Sequence, residues 1–247
     1  MVSYLPTLSK MPNVIRKGRN AHEGYQRAWG IEFGGLVQNV LEDPLYKDAA
    51  SQIEGYSIVA PVRRINIFLI MKFFMGKIPF GHIVEFGSYR GGNALFMAYV
   101  AKQLYPGMKV YALDTFEGMP ETDFSIDVHK EGDFSDALLE NFQHKIQEMK
   151  LDNLIPVKGL FEDTAEGVLK EAQNVSLAHI DCDIYSAVKY SYDVVKPFMV
   201  DGGYVVFDDA TVSSCLGATE AVEELLYHRD GLFAEQIFPH FVFRAFK

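Results

Sequence analysis

Two stretches constrain this chain most: His179-Ile-Asp-Cys-Asp183 and Gly202-Gly-Tyr-Val-Val-Phe-Asp-Asp209. Each reads as a buried strand that runs straight into carboxylates. Laid side by side in a parallel sheet, they would bring Asp181, Asp183, Asp208 and Asp209 to one edge. Desolvated carboxylates that close repel one another, and their pKa values rise unless a metal or a basic partner holds them ionised. No Lys or Arg stands within several residues of Asp208 and Asp209, and Lys189 is the nearest base after Asp183. A hard divalent ion with oxygen ligands, Mg2+ by default, resolves the repulsion most simply.

The rest of the chain supports a parallel sheet. From residue 80 onward, short apolar runs alternate with segments of helical spacing. Strands are predicted over 83–86, 109–114, 154–157 and 175–180, then from Gly202-Gly203 to Asp208. Helices are predicted over 93–104, 134–150, 164–172, 186–199 and 219–227. Residues 115–133 form a long irregular passage, which inside a compact domain is usually functional or mobile. Runs 232–238 and 241–246, split by Pro239-His240, predict an antiparallel hairpin. The expected fold class is α/β, a doubly wound Rossmann-like sheet with a C-terminal antiparallel hairpin. Residues 81–247 would form this domain, and 1–80 an N-terminal helical extension contributing to the substrate site.

Charge and composition narrow the partners. The net charge of -10 argues against nucleic acid, which rewards a basic face, so the ligand should be small. The most apolar stretch, 65–75, is interrupted by Lys72 and is too short to span a bilayer. The first 20 residues lack the apolar core of a secretory signal. With only two cysteines, Cys182 and Cys215, cytoplasmic residence is the expectation.

Glu85-Phe-Gly-Ser-Tyr-Arg-Gly-Gly92 sits where a doubly wound sheet binds its cofactor, between the first strand and its helix. Tyr89 stands where a dinucleotide fingerprint needs its second glycine, so pyrophosphate is disfavoured. A ligand with a carboxylate, an ammonium and a nucleoside fits instead, with Glu85 or nearby backbone receiving the ammonium and Gly91 and Gly92 allowing close approach. The bland alternative is a glycine-rich turn with no ligand. Asp114 could accept a ribose diol or merely cap a turn. Asp163 reads equally as a helix N-cap or an adenine contact.

Asp181 and Asp183, two apart on an extended chain, would share a face, while adjacent Asp208 and Asp209 can meet one ion only if one has left its strand. Helix capping is the competing reading, above all for Asp183. Phe73, Phe74 and Met75 read as core or interface, and the seven histidines show no metal-ligand spacing. Glu117, Glu121, Asp123 and Asp127 read as a solvated surface or a lid.

Taken together, Val84 to Gly92, Leu-Asp-Thr-Phe-Glu-Gly-Met-Pro (113–120), Gly-Leu-Phe-Glu-Asp-Thr (159–164), Ile-Asp-Cys-Asp-Ile-Tyr (180–185) and Gly202 to Asp209 resemble the macrocin O-methyltransferase (TylF-type) family. Cys215-x-Gly217-Ala218 followed by Ala221-Val222-x-Glu224 is similar to the family's next segment. The resemblance implies a metal-requiring enzyme that methylates hydroxyls of sugars or aromatic rings in bacterial natural products with S-adenosylmethionine. It implies Mg2+ on Asp181, Asp208 and Asp209, Asp183 as general base, and S-adenosylmethionine contacts from Glu85, Gly87, Ser88, Asp114, Thr115 and Asp163. A small hydroxylated acceptor, no membrane and a homodimer are the matching expectations for partners. The chain has Asp181-Cys-Asp-Ile-Tyr-Ser-Ala187 where relatives tend to Asp-Gly-Asp-x-Tyr-Glu-Ser, and Ser57-Ile-Val-Ala60 only loosely matches a Thr-Met-Ile-Gly element. A catechol-type phenolic methyltransferase and a non-catalytic S-adenosylmethionine-binding scaffold are the rival readings. The catechol type usually has Asn where Asp209 stands.

Overall fold

A parallel strand pair needs a crossover, and in this chain the crossovers are helices that cover both faces of the sheet. A computed structural model describes residues 15–16, 19–20 and 35–246. Helices α1 (Gly35–Leu41), α2 (Pro44–Gln52) and α3 (Pro61–Leu69) precede the alternating series. That series runs β1 (His82–Phe86), α4 (Gly92–Leu104), β2 (Val110–Asp114), α5 (Leu139–Glu148), β3 (Leu154–Lys158) and α6 (Phe161–Ala172). It continues with β4 (Val175–Ile180), α7 (Tyr185–Val195), β5 (Met199–Phe207), α8 (Leu216–Val222) and β6 (Phe241–Ala245). The strands lie in the order β3-β2-β1-β4-β5-β6, all parallel except β6, which runs antiparallel to β5.

Burial follows position in the sheet. Central β4 is buried at every residue, and β5 at every residue but Asp201. The strand order reverses between β1 and β4, and a crevice opens at the C-terminal ends of strands at such a switch point.

The chain divides into two compact units, residues 1–48 and 49–247. The sequence expectation ends the N-terminal extension at residue 80, and residues 49–80 fall within the second of these units. In the first unit, Ile15–Arg16 pairs antiparallel with Arg19–Asn20. Among the described residues no helix is long and apolar enough to cross a membrane.

Some expectations shift. Phe134 has a positive φ of 63°, which keeps the chain out of the helix expected from that residue, and α5 starts at Leu139. Of the antiparallel ending, β6 is a full strand on β5, whereas 232–238 contributes the single bridge Gln236–Val242. There Pro239 has no N–H to pair, and the Gln236 side chain turns aside to donate to Asn66 Oδ1 at 2.9 Å. Phe73 and Phe74 are exposed rather than core, lying under Lys72 and Lys77, while Met75 is buried.

Gly87 is where the sheet is tightest. Its φ is +86°, and a Cβ there would meet the Asp181 carbonyl oxygen at 1.9 Å. Gly87→Ala should therefore cost about 2–5 kcal/mol, combining left-handed backbone and overpacking, read as a lowered midpoint in chemical denaturation. An unchanged midpoint would show that the β1 and β4 ends do not need this approach.

Candidate active site

Ladder hydrogen bonds continue past the ends of the central strands and carry the acids into register. Asp181 N–H donates to Phe86 O at 2.8 Å, and Asp208 N–H to Ile180 O at 3.0 Å. Asp208 and Asp209 have both left β5, Asp209 opening a 3-10 turn. Asp183 reaches the group differently from the strand alternation expected. β4 ends at Ile180, and Asp183 turns back with a positive φ of 60°. Its backbone N–H donates to Asp209 Oδ2 at 3.1 Å.

The acids divide into two electrostatic classes. Asp208 accepts from Arg63 of α3 on Oδ2 and from His240 Nε2 on Oδ1 at 2.7 Å, with His179 Nε2 at 3.5 Å. Burial pushes the Asp208 carboxyl up, but the two imidazoles more than offset it and hold it well below the usual range. Asp181 and Asp209 accept nothing from a basic side chain among the described residues. Burial first, then the neighbouring carboxylates, pushes both well above the usual range. Burying an ion costs several kcal/mol, and one opposite charge in contact returns about 4 kcal/mol at the effective dielectric of such sites. Asp208 is thus compensated from within the protein, and the demand for an added cation rests on Asp181 and Asp209. Oxygens of Asp181, Asp208 and Asp209 lie within 4.8 Å of one another, a hard donor set that suits a divalent ion.

A buried network holds Asp208 in place. Gln236 Nε2 fixes Asn66 Oδ1, so Asn66 Nδ2 donates to His240 Nδ1 at 3.0 Å. This leaves the proton on His240 Nε2, facing Asp208. Burial lowers the His240 pKa, consistent with a neutral ring. His179 is the opposite case. Burial disfavours its charge, but Asp208 and Glu85 raise its pKa to about 9. Its Nδ1 donates to Glu85 Oε1 at 3.1 Å, so the imidazolium bridges the end of β1 and the end of β5.

The other end of the crevice is the turn after β1. Glu85 Oε1 also accepts from Asn93 Nδ2 at 2.9 Å, but buried Glu85 Oε2 and Ser88 Oγ have no hydrogen-bond partner among the described residues. Orphaned buried polar atoms of this kind fit an ammonium-bearing ligand. The glycines serve the chain's own packing as much as a ligand: a Cβ on Gly91 would strike the Phe142 ring at 2.1 Å, and one on Gly92 the Ser57 backbone at 2.4 Å.

Asp114 accepts backbone N–H groups of Ser88 at 2.9 Å, Tyr89 at 2.8 Å and Phe116 at 2.7 Å, tying the turn to β2. One lone-pair direction remains, too little for a bidentate diol contact. Thr115 Oγ1 is spent on Gly118 O at 2.6 Å. Asp163 lies inside α6, whose N-cap is Leu160, so it does not cap the helix. It is also absent from the cavity wall, to which α6 contributes Glu162 instead.

These elements enclose a cavity of about 310 Å³. Its wall includes Glu85, Gly87, Ser88, Asp114 and Thr115 at one end and Asp181, Asp183, Asp208 and Asp209 at the other. Residues 56–60 and Arg63 close one side, and Met119, Pro120 and Phe134 of the long irregular segment contribute as well. That segment is not all solvated surface, because Asp127 is buried and accepts from Tyr185 N–H at 2.9 Å. Sequence reasoning missed Arg63, Asn66, His179 and His240. Only His179, an ionisable residue inside a fully buried strand, carried a local signal.

A family model described as Macrocin-O-methyltransferase (TylF) matches residues 54–229. A curated relative, the 8-demethyl-8-(2,3-dimethoxy-alpha-L-rhamnosyl)-tetracenomycin-C 4'-O-methyltransferase of Streptomyces olivaceus, is 27% identical over 213 residues, covering 74% of this chain and 81% of its own. Among solved structures, the O-methyltransferase NovP superposes with a TM-score of 0.66 at 21% identity, covering 75% of this chain and 80% of NovP. The calicheamicin methyltransferase CalS11 gives 0.62 at 17% identity, covering 82% and 93%. Both share the Rossmann-like fold.

His179 makes the fold's stability depend on pH. A group whose folded-state pKa lies above its ordinary value stabilises the fold fully below that ordinary value, and the contribution disappears as pH rises through the folded-state pKa. The thermal midpoint should therefore fall as pH rises from 6.5 through about 9. His179→Gln should flatten that part of the profile. An equal slope in the variant would assign the loss to other groups.

Proposed function

Because this chain belongs to the macrocin-O-methyltransferase (TylF) family and is an O-methyltransferase, we propose that it moves a methyl group from S-adenosylmethionine to a sugar hydroxyl of a natural product, with Mg2+ as its metal. One observation carries this reading: a single cavity has orphaned Glu85 Oε2 and Ser88 Oγ at one end and four converging aspartates at the other. The preference for a sugar over an aromatic ring follows the Streptomyces olivaceus relative, whose name specifies a 4'-hydroxyl on a rhamnosyl-bearing compound.

Glu85 would receive the ammonium of S-adenosylmethionine, and Asp181, Asp208 and Asp209 would hold Mg2+. When bound, the first supplies an electrophilic methyl group and the second a positive charge that acidifies a nearby hydroxyl. Asp183 removes the proton from the acceptor oxygen. Burial raises its pKa above the usual carboxylate value, which strengthens it as a base, while its backbone is anchored on Asp209. Asp209 and the left-handed turn at residue 183 fix the direction of attack. Asp114 supports the site indirectly, by holding the Ser88-Tyr89 turn open. The walls formed by 56–60 and by Met119, Pro120 and Phe134 exclude water and shape the acceptor.

The aspartates should separate by experiment. Asp181→Asn and Asp209→Asn should weaken Mg2+ binding in calorimetry, whereas Asp183→Asn should retain Mg2+ and lower kcat about a hundredfold or more. Loss of Mg2+ in Asp183→Asn would make Asp183 a ligand and remove it as the base.

Asp208→Asn should behave differently from all of them. It strands Arg63 and two imidazoles, so global stability should fall by about 3–5 kcal/mol. A fold as stable as the wild type would mean that the Asp208 network is dispensable.

A further inference from the structure

Beside the acidic cluster, three donors of different chemistry converge. They are His129 Nε2 from the segment between β2 and α5, Asp183 Oδ1, and Cys215 Sγ just before α8. Sγ lies 3.4 Å from Oδ1 and 3.7 Å from Nε2, and Nε2 lies 3.7 Å from Oδ1. A tetrahedral zinc ion with ordinary bond lengths requires edges of about 3.5 Å from sulfur to nitrogen or oxygen and about 3.3 Å from nitrogen to oxygen. The triangle already has nearly these dimensions.

The surroundings are those of a ligand set. His129 Nδ1 lies 3.2 Å from Asp133 Oδ2. That carboxylate holds the ring proton on Nδ1 and turns the Nε2 lone pair toward the triangle, as in carboxylate-histidine-metal arrangements. Ser214 Oγ lies 3.6 Å from Cys215 Sγ, where its hydroxyl can donate to a thiolate. The His129 and Asp183 side chains are each 20% exposed, which leaves an entry path and a fourth position for solvent. A mixed sulfur, nitrogen and oxygen set selects a borderline-soft ion over Mg2+.

We propose that His129, Asp183 and Cys215 form a zinc-class site separate from the Asp181, Asp208 and Asp209 cluster. Binding forms the metal-sulfur bond as the Cys215 thiol proton passes to solvent. An ion there holds Asp183 and fastens the 115–138 segment to the end of β4. On the methyl-transfer reading it withdraws the base, so this ion opposes the reaction that Mg2+ supports. The site itself does not depend on that reading.

Cobalt provides the test. With Mg2+ in excess to fill the acidic cluster, one equivalent of Co2+ should give the intense visible bands of a tetrahedral site and a sulfur-to-cobalt band in the near ultraviolet. Cys215→Ser should lose the sulfur band, and His129→Ala should weaken Co2+ or Zn2+ binding about tenfold or more. Cys182→Ala and Asp181→Asn should keep both features, and circular dichroism would verify that each variant is folded. If Cys215→Ser does not fold, His129→Ala and Cys182→Ala decide the matter alone. Absence of the sulfur band in the wild type, its survival in Cys215→Ser, its loss in Cys182→Ala, or unchanged affinity in His129→Ala would overturn the proposal.

Discussion

Asp208 is the group on which the C-terminal edge of the sheet depends. Parallel pairing of β4 and β5 forces the carboxylates that end these strands into contact in a buried place, and without compensation the edge would repel itself apart. Arg63, His240 and the charged ring of His179 gather on Asp208 and remove one charge from the conflict. Each comes from a different element, so a single carboxylate ties α3, β4 and the segment before β6 to the end of β5. What is left, Asp181 and Asp209, has burial and mutual repulsion but no basic side chain in contact among the described residues.

His179 extends this dependence across the crevice. Its ring lies between Glu85 and Asp208, so the end that presents an orphaned carboxylate oxygen and the end that presents the acidic cluster share one buried cation. A change of charge at either end alters the field felt at the other. The turn after β1 is equally constrained: Asp114 spends its carboxylate on three backbone N–H groups, and Gly87 admits the Asp181 carbonyl. The crevice is therefore shaped by groups satisfying one another, and among the described residues Glu85 Oε2, Ser88 Oγ and Asn93 Oδ1 on its wall are the buried atoms left without a hydrogen-bond partner.

The long segment between β2 and α5 is more ordered than its composition suggests. Asp127 caps the start of α7 from a distance by accepting the Tyr185 N–H, and Asp133 orients His129 toward Asp183 and Cys215. Acids that resemble solvated surface in a list of residues thus serve as positioning groups in the fold.

The sequence alone determined the α/β class, the parallel series, the turn at residues 85–92 and the meeting of Asp181, Asp183, Asp208 and Asp209. These follow from short continuous apolar runs, helix spacing and glycine punctuation, all local signals within a few residues. It did not foresee that Asp163 lies inside α6 past its N-cap, that Asp114 accepts three backbone N–H groups, or that Arg63 and two imidazoles gather on Asp208. Only the tertiary structure decided those points, because Arg63 meets Asp208 across 145 residues and Asn66 meets His240 across 174. Hydrogen bonds between side chains so far apart leave no periodicity in the chain. They arise only when the sheet has formed and each buried polar atom takes whatever partner the packing brings within reach.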